Sequence, residues 1–152
     1  MHSNDEDFDI WNEVKKSVNS KALPDSFFFY EREIWWCSLG MNVGIEANGK
    51  NQTFERPVLI FKVFNREMLW VMPITSTSKR SRFYYRFSFN GKKYSVNMTQ
   101  IKVVSAKRLL RKIGNLADED FTEISSSLIE IIKNETPPIG GESRSPKALI
   151  GQ

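Results

Sequence analysis

Between residues 79 and 112 the chain carries eleven basic side chains and no acidic one: Lys79, Arg80, Arg82, Arg86, Lys92, Lys93, Lys102, Lys107, Arg108, Arg111 and Lys112. Six aromatic residues, Phe83, Tyr84, Tyr85, Phe87, Phe89 and Tyr94, interleave with them. Cations neutralise phosphates and displace counterions, while ring faces stack unpaired bases, so this mixture suits a surface for single-stranded nucleic acid. A hairpin with its cations in solvent and its rings in a core would show the same alternation. Residues 1–29 hold six acids against three lysines, so a chain of net charge +4 concentrates its positive charge in the remainder.

Other chemistries lack their residues. The one histidine stands at position 2 and the one cysteine is Cys37, which argues against an internal disulfide, a zinc cluster and imidazole-based catalysis. We therefore expect no cofactor and no metal. No stretch approaches the ~18 apolar residues of a bilayer span, and the start MHSNDEDFD is acidic where a signal peptide is basic and then apolar. We expect a soluble, cytoplasmic protein without a membrane partner.

The 152 residues, 40% hydrophobic and 12% aromatic, suffice for one packed core. Ser3 and Glu6 have capping-box spacing, and Phe8, Trp11, Val14, Lys15 and Val18 recur at helical intervals, predicting a helix over 4–20. A strand is predicted at 32–38, followed by a polar, glycine-containing loop of about fifteen residues. Loops of that length are commonly functional, or else loose surface excursions. Apolar runs predict strands at 56–64 and 68–75. Asn90-Gly91 predicts a tight hairpin between strands at 82–89 and 92–98, with a further strand at 101–105. Phe121, Ile124, Leu128, Ile131 and Ile132 mark the apolar face of a helix over about 118–134. Short strands at this spacing imply a small antiparallel barrel or sandwich capped by that helix. The chain divides into an N-terminal helical extension, 1–29, a folded domain, 30–134, and a Pro, Gly and Ser-rich tail, 135–152, expected to be disordered.

The order of REIWW, the polar loop, ERPVLI, MPITS, a hairpin and TQIKVVSAKRLLRKIGNL resembles that of the MazF/PemK-type toxins of bacterial type II toxin–antitoxin systems over residues 31–134. The resemblance implies an α+β fold, a small SH3-like antiparallel β-barrel with a C-terminal helix, here with an N-terminal helical extension. It implies a homodimer and a metal-independent, sequence-specific endoribonuclease acting on single-stranded RNA. It also implies a cognate antitoxin protein that blocks the RNA groove.

RNA supplies its own nucleophile: its 2′-hydroxyl attacks the adjacent phosphorus to leave a 2′,3′-cyclic phosphate and a 5′-hydroxyl. The protein must accept a proton, stabilise the added charge on phosphorus and protonate the leaving oxygen. By the resemblance, Arg56 of the RPV motif stabilises the transition state, Thr75 and Ser76 at the end of MPITS hydrogen-bond the scissile phosphate, and Glu33 orients Arg56 or accepts a proton. Taken without the resemblance, the sequence favours Arg56 as an ion-pair partner for Glu55 or Glu33 and Thr75 and Ser76 as capping or turn residues, while Glu33 is equally a buried ion-pair member. Lys50, Asn51, Gln52, Lys79, Arg80, Arg82, Arg86, Gln100 and Lys102 are the candidates for RNA contact. Asn97 and Thr99 replace an Arg and an Asp of the PemK branch, and Lys102 replaces an Arg, which keeps the charge and loses the fork. Two other functions fit such a chain: a toxin of the same barrel that acts on a protein such as DNA gyrase, as the related CcdB-like toxins do, or a barrel that binds RNA without cutting it.

Overall fold

A computed structural model describes residues 5–134, so Ser3 of the predicted capping box and the tail at 135–152 lie outside the described residues. The elements are α1 (Asp5–Ser20), β1 (Glu33–Ser38), β2 (Glu55–Val63), β3 (Met68–Thr75), β4 (Tyr84–Phe89), β5 (Lys92–Asn97), β6 (Lys102–Ser105), β7 (Leu109–Asn115) and α2 (Asp118–Lys133). The eight predicted elements are present to within a few residues; β7 is additional. Among the described residues no helix is long and apolar enough to cross a membrane.

All strand pairings are antiparallel, in the order β4-β5-β3-β2-β1-β7. β3 serves two partners along one edge: residues 68–71 pair with β6 and residues 74–75 with β5. The central strands read as continuous apolar runs because both of their faces are covered. Val58 and Ile60 enter one core with Trp35, Cys37 and Leu109, while Leu59, on the opposite face, joins Ile34, Met72 and Ile124 of α2 in a second. The architecture is the expected α+β one, with one correction. The sheet is open, since β4 and β7 at its two ends share no ladder. The Phe89 ring fills the gap instead, lying so close to Gly114 that a Cβ there would meet its Cζ at 2.6 Å. Side-chain packing replaces the hydrogen bonds that would close a barrel.

The hairpin turn follows its sequence signal, with Asn90 and Gly91 both at positive φ, as a two-residue turn matched to strand twist requires. The N-terminal extension is docked on the domain. Trp11 is buried against Phe54, ring centroids 5.6 Å apart, under the guanidinium of Arg108. Its indole lies over Gly40, whose φ is +86° and whose place no side chain could take, since a Cβ would sit 2.2 Å from Trp11 Cε2. Lys107 Nζ donates to the Asn19 carbonyl and Lys21 Nζ to those of Lys107 and Leu109, tying the end of α1 to the start of β7.

Trp11→Ala should lower unfolding stability by about 3 kcal/mol, the usual cost of emptying a buried aromatic site. Denaturant unfolding of the full chain measures it, and an unchanged midpoint would mean that α1 is not docked in solution.

Candidate functional site

The start of β2 and the end of β3 meet beneath the loop at residues 39–54. Carrying the Val58↔Pro73 register two residues further sets Arg56 beside Thr75. These two residues and Ile74 form the boundary shared by two cavities. One, of about 430 Å³, has aromatic and aliphatic walls, among them Trp36, Ile74, Phe87, Phe89, Tyr94 and Ile113, with Lys50, Asn51, Glu55, Ser76 and Asn90 as its polar members. The other, of about 300 Å³, is more polar and is lined by Asn48, Lys79, Tyr84, Asn97 and Gln100 among others.

Arg56 is half-buried and donates its Nε to the Asn48 carbonyl at 2.6 Å. Among the described residues no carboxylate pairs with it, and desolvation alone pulls its pKa below the usual arginine value. The guanidinium still remains a cation at neutral pH, with its terminal amino groups available to an anion. A partly dehydrated cation gains more from an incoming anion than a hydrated one.

The two acids that the sequence offered as partners for Arg56 are engaged elsewhere, and Glu46, which lines the polar cavity with it, accepts from the Val43 amide at 3.0 Å. Glu55 receives two bonds from the Arg111 guanidinium, at 2.8 and 3.1 Å, and a third from Thr53 Oγ1 at 2.9 Å. The Arg111 bonds, before any other cause, hold the Glu55 carboxyl below the usual carboxylate range. Arg111 also lies over the Trp36 ring, 5.0 Å from its centroid. Glu33 accepts from the Tyr30 amide at 2.6 Å and Trp35 Nε1 at 3.2 Å, and pairs with Lys112 at 2.6 Å. It stands four residues from Cys37, the register partner of Arg56, or about 13 Å along β1. The structure therefore does not bring Glu33 to Arg56.

The loop is tied down throughout. Gly40 N–H donates to Phe54 O at 3.1 Å and Gly49 N–H to Gly40 O at 2.8 Å, and Lys50 and Glu55 exchange two backbone bonds of 2.8 Å. Asn42 Nδ2 donates to the carbonyls of Leu39 and Ala47, and Asn48 Oδ1 accepts from Asn42 N–H. Gln100 spends both ends of its amide here: Oε1 accepts from Ala47 N–H at 3.1 Å, and Nε2 donates to Ile45 O at 2.9 Å. This fixes the segment whose Asn48 carbonyl holds Arg56.

The remaining sequence candidates scatter. Lys50, Asn51 and Ser76 line the aromatic cavity, and Lys79 lines the polar one. Gln52 and Arg80 line neither; Arg82 lies over the Phe83 ring, and Arg86 borders a separate depression with Lys93. Lys102 also lines neither cavity, and burial together with the nearby Arg108 lowers its pKa. Trp36 and Asn48 are at the site without having been singled out, and Arg111 was visible only as one cation of the basic stretch. Arg111 reaches it from β7, and Asn48 contributes a backbone carbonyl, which leaves no side-chain signature. Phe87, Phe89 and Tyr94 were visible as aromatics within the basic stretch. Among the described residues no three of His, Cys, Asp and Glu converge as a metal site would need.

A model of the family described as PemK-like, MazF-like toxin of type II toxin–antitoxin systems matches residues 30–132. Three solved structures share the fold at low identity. MazF from Deinococcus radiodurans is 16% identical, TM-score 0.56, over 74% of this chain and 98% of that one. The toxin MazF-mt6 of Mycobacterium tuberculosis is 18% identical, TM-score 0.52, over 69% and 100%. An endoribonuclease from a mycobacterial species, in complex with its cognate antitoxin, is 16% identical, TM-score 0.52, over 70% and 97%. No curated protein matches the sequence.

Two outcomes follow from these contacts. Gln100→Leu should speed hydrogen exchange at the Ala47 amide by roughly five- to tenfold, since a net bond of about 1 kcal/mol is lost, and an unaltered rate would show that the loop holds itself. Because the folded-state pKa of Glu55 is depressed, its stabilising contribution is present above the unfolded value near 4.5 and drains away as pH falls below it. Unfolding midpoints measured against pH should therefore fall less steeply on the acid side for Glu55→Gln than for the native sequence; parallel curves would deny the Arg111 pair any weight.

Proposed function

We propose that this chain, which belongs to the PemK-like, MazF-like toxin family of type II toxin–antitoxin systems, is an endoribonuclease that cuts single-stranded RNA at preferred sequences without a metal ion. The observation that carries this reading is Arg56: a half-buried guanidinium held by one backbone carbonyl, without a carboxylate partner among the described residues, next to a hydroxyl at the rim of two cavities.

The 2′-hydroxyl of the substrate forms the new bond to phosphorus and the 5′-oxygen leaves, giving a 2′,3′-cyclic phosphate and a 5′-hydroxyl. The terminal amino groups of Arg56 take the non-bridging phosphoryl oxygens as a fork, and their attraction strengthens as charge accumulates there. Thr75 supplies a hydroxyl donor to the same phosphate, with Ser76 as its neighbour. Glu55, ionised and committed to Arg111, is a weak base, so catalysis rests on electrostatic stabilisation, with protons exchanged through water. Glu33 takes no part. Lys50, Asn51 and Lys79 attract and place the backbone, and Gln100 acts on Arg56 through the loop. An antitoxin protein that covers the site and a homodimeric state complete the reading; a mycobacterial endoribonuclease of the same fold is known in complex with its cognate antitoxin.

The test is to incubate the purified chain with a long natural RNA in EDTA and map the 5′ ends of the fragments. Discrete cuts bearing 5′-hydroxyls are expected, slowed by about 10²- to 10³-fold in Arg56→Ala, as when a preorganised charge-stabilising donor is removed. Thr75→Val should slow them by roughly tenfold, the worth of one good hydrogen bond. RNA left intact would redirect the function to a protein target or to RNA binding alone.

A further inference from the structure

None of the buried residues of either core comes from α1. Its single buried side chain, Trp11, packs instead on the two ends of the loop at residues 39–54. At one end the indole lies on Gly40, where a Cβ would come within 2.3 Å of both Cε2 and Cζ2. At the other it meets the Phe54 ring, centroids 5.6 Å apart and planes inclined by 59°. Phe54 has φ +49°, a left-handed conformation that a bulky side chain keeps only where its surroundings hold it.

From those two contacts an unbroken path leads to Arg56. Gly40 N–H donates to Phe54 O at 3.1 Å, and Gly40 O accepts from Gly49 N–H at 2.8 Å. Gly49 lies so close to Phe54 that a Cβ on it would stand 1.6 Å from the Phe54 carbonyl oxygen. Gly40, Gly49 and Phe54 therefore form one knot, and Asn48, next to Gly49 in the chain, gives the carbonyl that accepts from Arg56 Nε. The Arg108 guanidinium, over the same indole at 5.6 Å, donates Nη1 to the Ser38 and Leu39 carbonyls at 3.0 and 3.3 Å and so fixes the strand end from which the loop departs. The end of α1 is pegged on either side of Arg108, by Lys107 to the Asn19 carbonyl and by Lys21 to those of Lys107 and Leu109.

We propose that Trp11 is a positioning residue for Arg56: by holding Gly40 and Phe54 together it fixes the Asn48 carbonyl, and with it the direction in which the guanidinium meets the scissile phosphate. The proposal rests on the ribonuclease reading of Arg56, and it gives α1, which lies outside the region that the family model matches, a part in the reaction. A fork of N–H donors stabilises developing charge best when it is aimed before the phosphate arrives. One neutral carbonyl aims Arg56, so a shift of Asn48 shifts the fork. Loss of Trp11 leaves the grip of Gln100 on Ala47 and Ile45, which keeps the loop in place but looser at its base. Lys50 and Lys79 keep their charges, so attraction of the RNA backbone persists while turnover falls.

The test uses the full chain, Trp11→Ala, Trp11→Phe and, for comparison, Val63→Ala, which trims a partly buried residue packed on the first core at the far end of β2 from Arg56. On a defined single-stranded RNA, Trp11→Ala should lower kcat about tenfold, less than the roughly 10²-fold that a 1 Å misplacement can cost, with KM within about twofold of the native value. Trp11→Phe, which keeps a ring against Gly40 and Phe54, should recover most of the rate, and Val63→Ala should cut at the native rate although it too is less stable. In the same chains labelled with nitrogen-15 at arginine, the Arg56 Nε–H, assigned by its loss in Arg56→Lys, should exchange with water about tenfold faster in Trp11→Ala than in the native chain. Should Trp11→Ala not fold, Trp11→Leu, which keeps apolar bulk and loses the flat ring, carries the same expectations. A native kcat in the Trp11 variant, equal slowing in Val63→Ala, a rise in KM alone, or an Nε–H that exchanges at the native rate overturns the proposal and leaves the ribonuclease standing. A native chain that does not cut RNA overturns the ribonuclease reading, and the Nε–H rates then decide by themselves whether Trp11 holds Arg56.

Discussion

The structure is organised around keeping one guanidinium partly dry and, among the described residues, without a carboxylate partner. The sequence offers Arg56 two acids, Glu55 beside it and Glu33 on the adjoining strand, and a bond to either would cancel its charge. Each acid is drawn away by a basic residue of β7: Arg111 forks onto Glu55, and Lys112 pairs with Glu33. What remains for Arg56 is a neutral carbonyl, which orients the side chain without cancelling its charge. Desolvation raises the energy of such a cation, and an anionic ligand lowers it again.

That arrangement sets the demands on the loop at residues 39–54. A carbonyl can hold Arg56 only if its own segment is fixed, and the fixing comes from three directions. Backbone bonds between Gly40 and Phe54 and between Lys50 and Glu55 close the base, Gln100 grips the middle, and Trp11 of the N-terminal helix covers the entry at Gly40. The helix preceding the family's matched region is thus joined to the loop that carries the site. Its acidic first turn is exposed, while its apolar contribution is concentrated in one tryptophan.

Openness of the sheet has a related consequence. With Phe89 packed on Gly114 in place of a β4–β7 ladder, the space between the hairpin and β1 is not filled by strand pairing. The aromatic cavity lies in that region, bounded by Phe87, Phe89 and Tyr94 on one side and Trp36 on the other. Rings that in a closed barrel would be core alone thereby also wall a cavity: Phe87 is buried in the second core, with Phe89 and Tyr94 packed against it, and all three line that space.

Period and punctuation alone determined most of the elements. Helical spacing in α1 and α2, the Asn90-Gly91 turn and the apolar runs of β2 and β3 are local properties, because side-chain direction along a helix or strand is set by the backbone period. β7 was not legible, for in LLRKIGN only Leu109 is fully buried, and its role comes from pairing with β1 across more than seventy residues of chain. The same limit governs the site. The motifs containing Arg56 and Thr75 could be seen in the sequence, as could the charge of the basic stretch, since composition fixes charge. Which acid meets which base, whether Arg56 stays unpaired, and that the backbone of Asn48 and the amide of Gln100 hold it in place were decided by tertiary structure. Those are distances between remote parts of the chain, and no local rule specifies them.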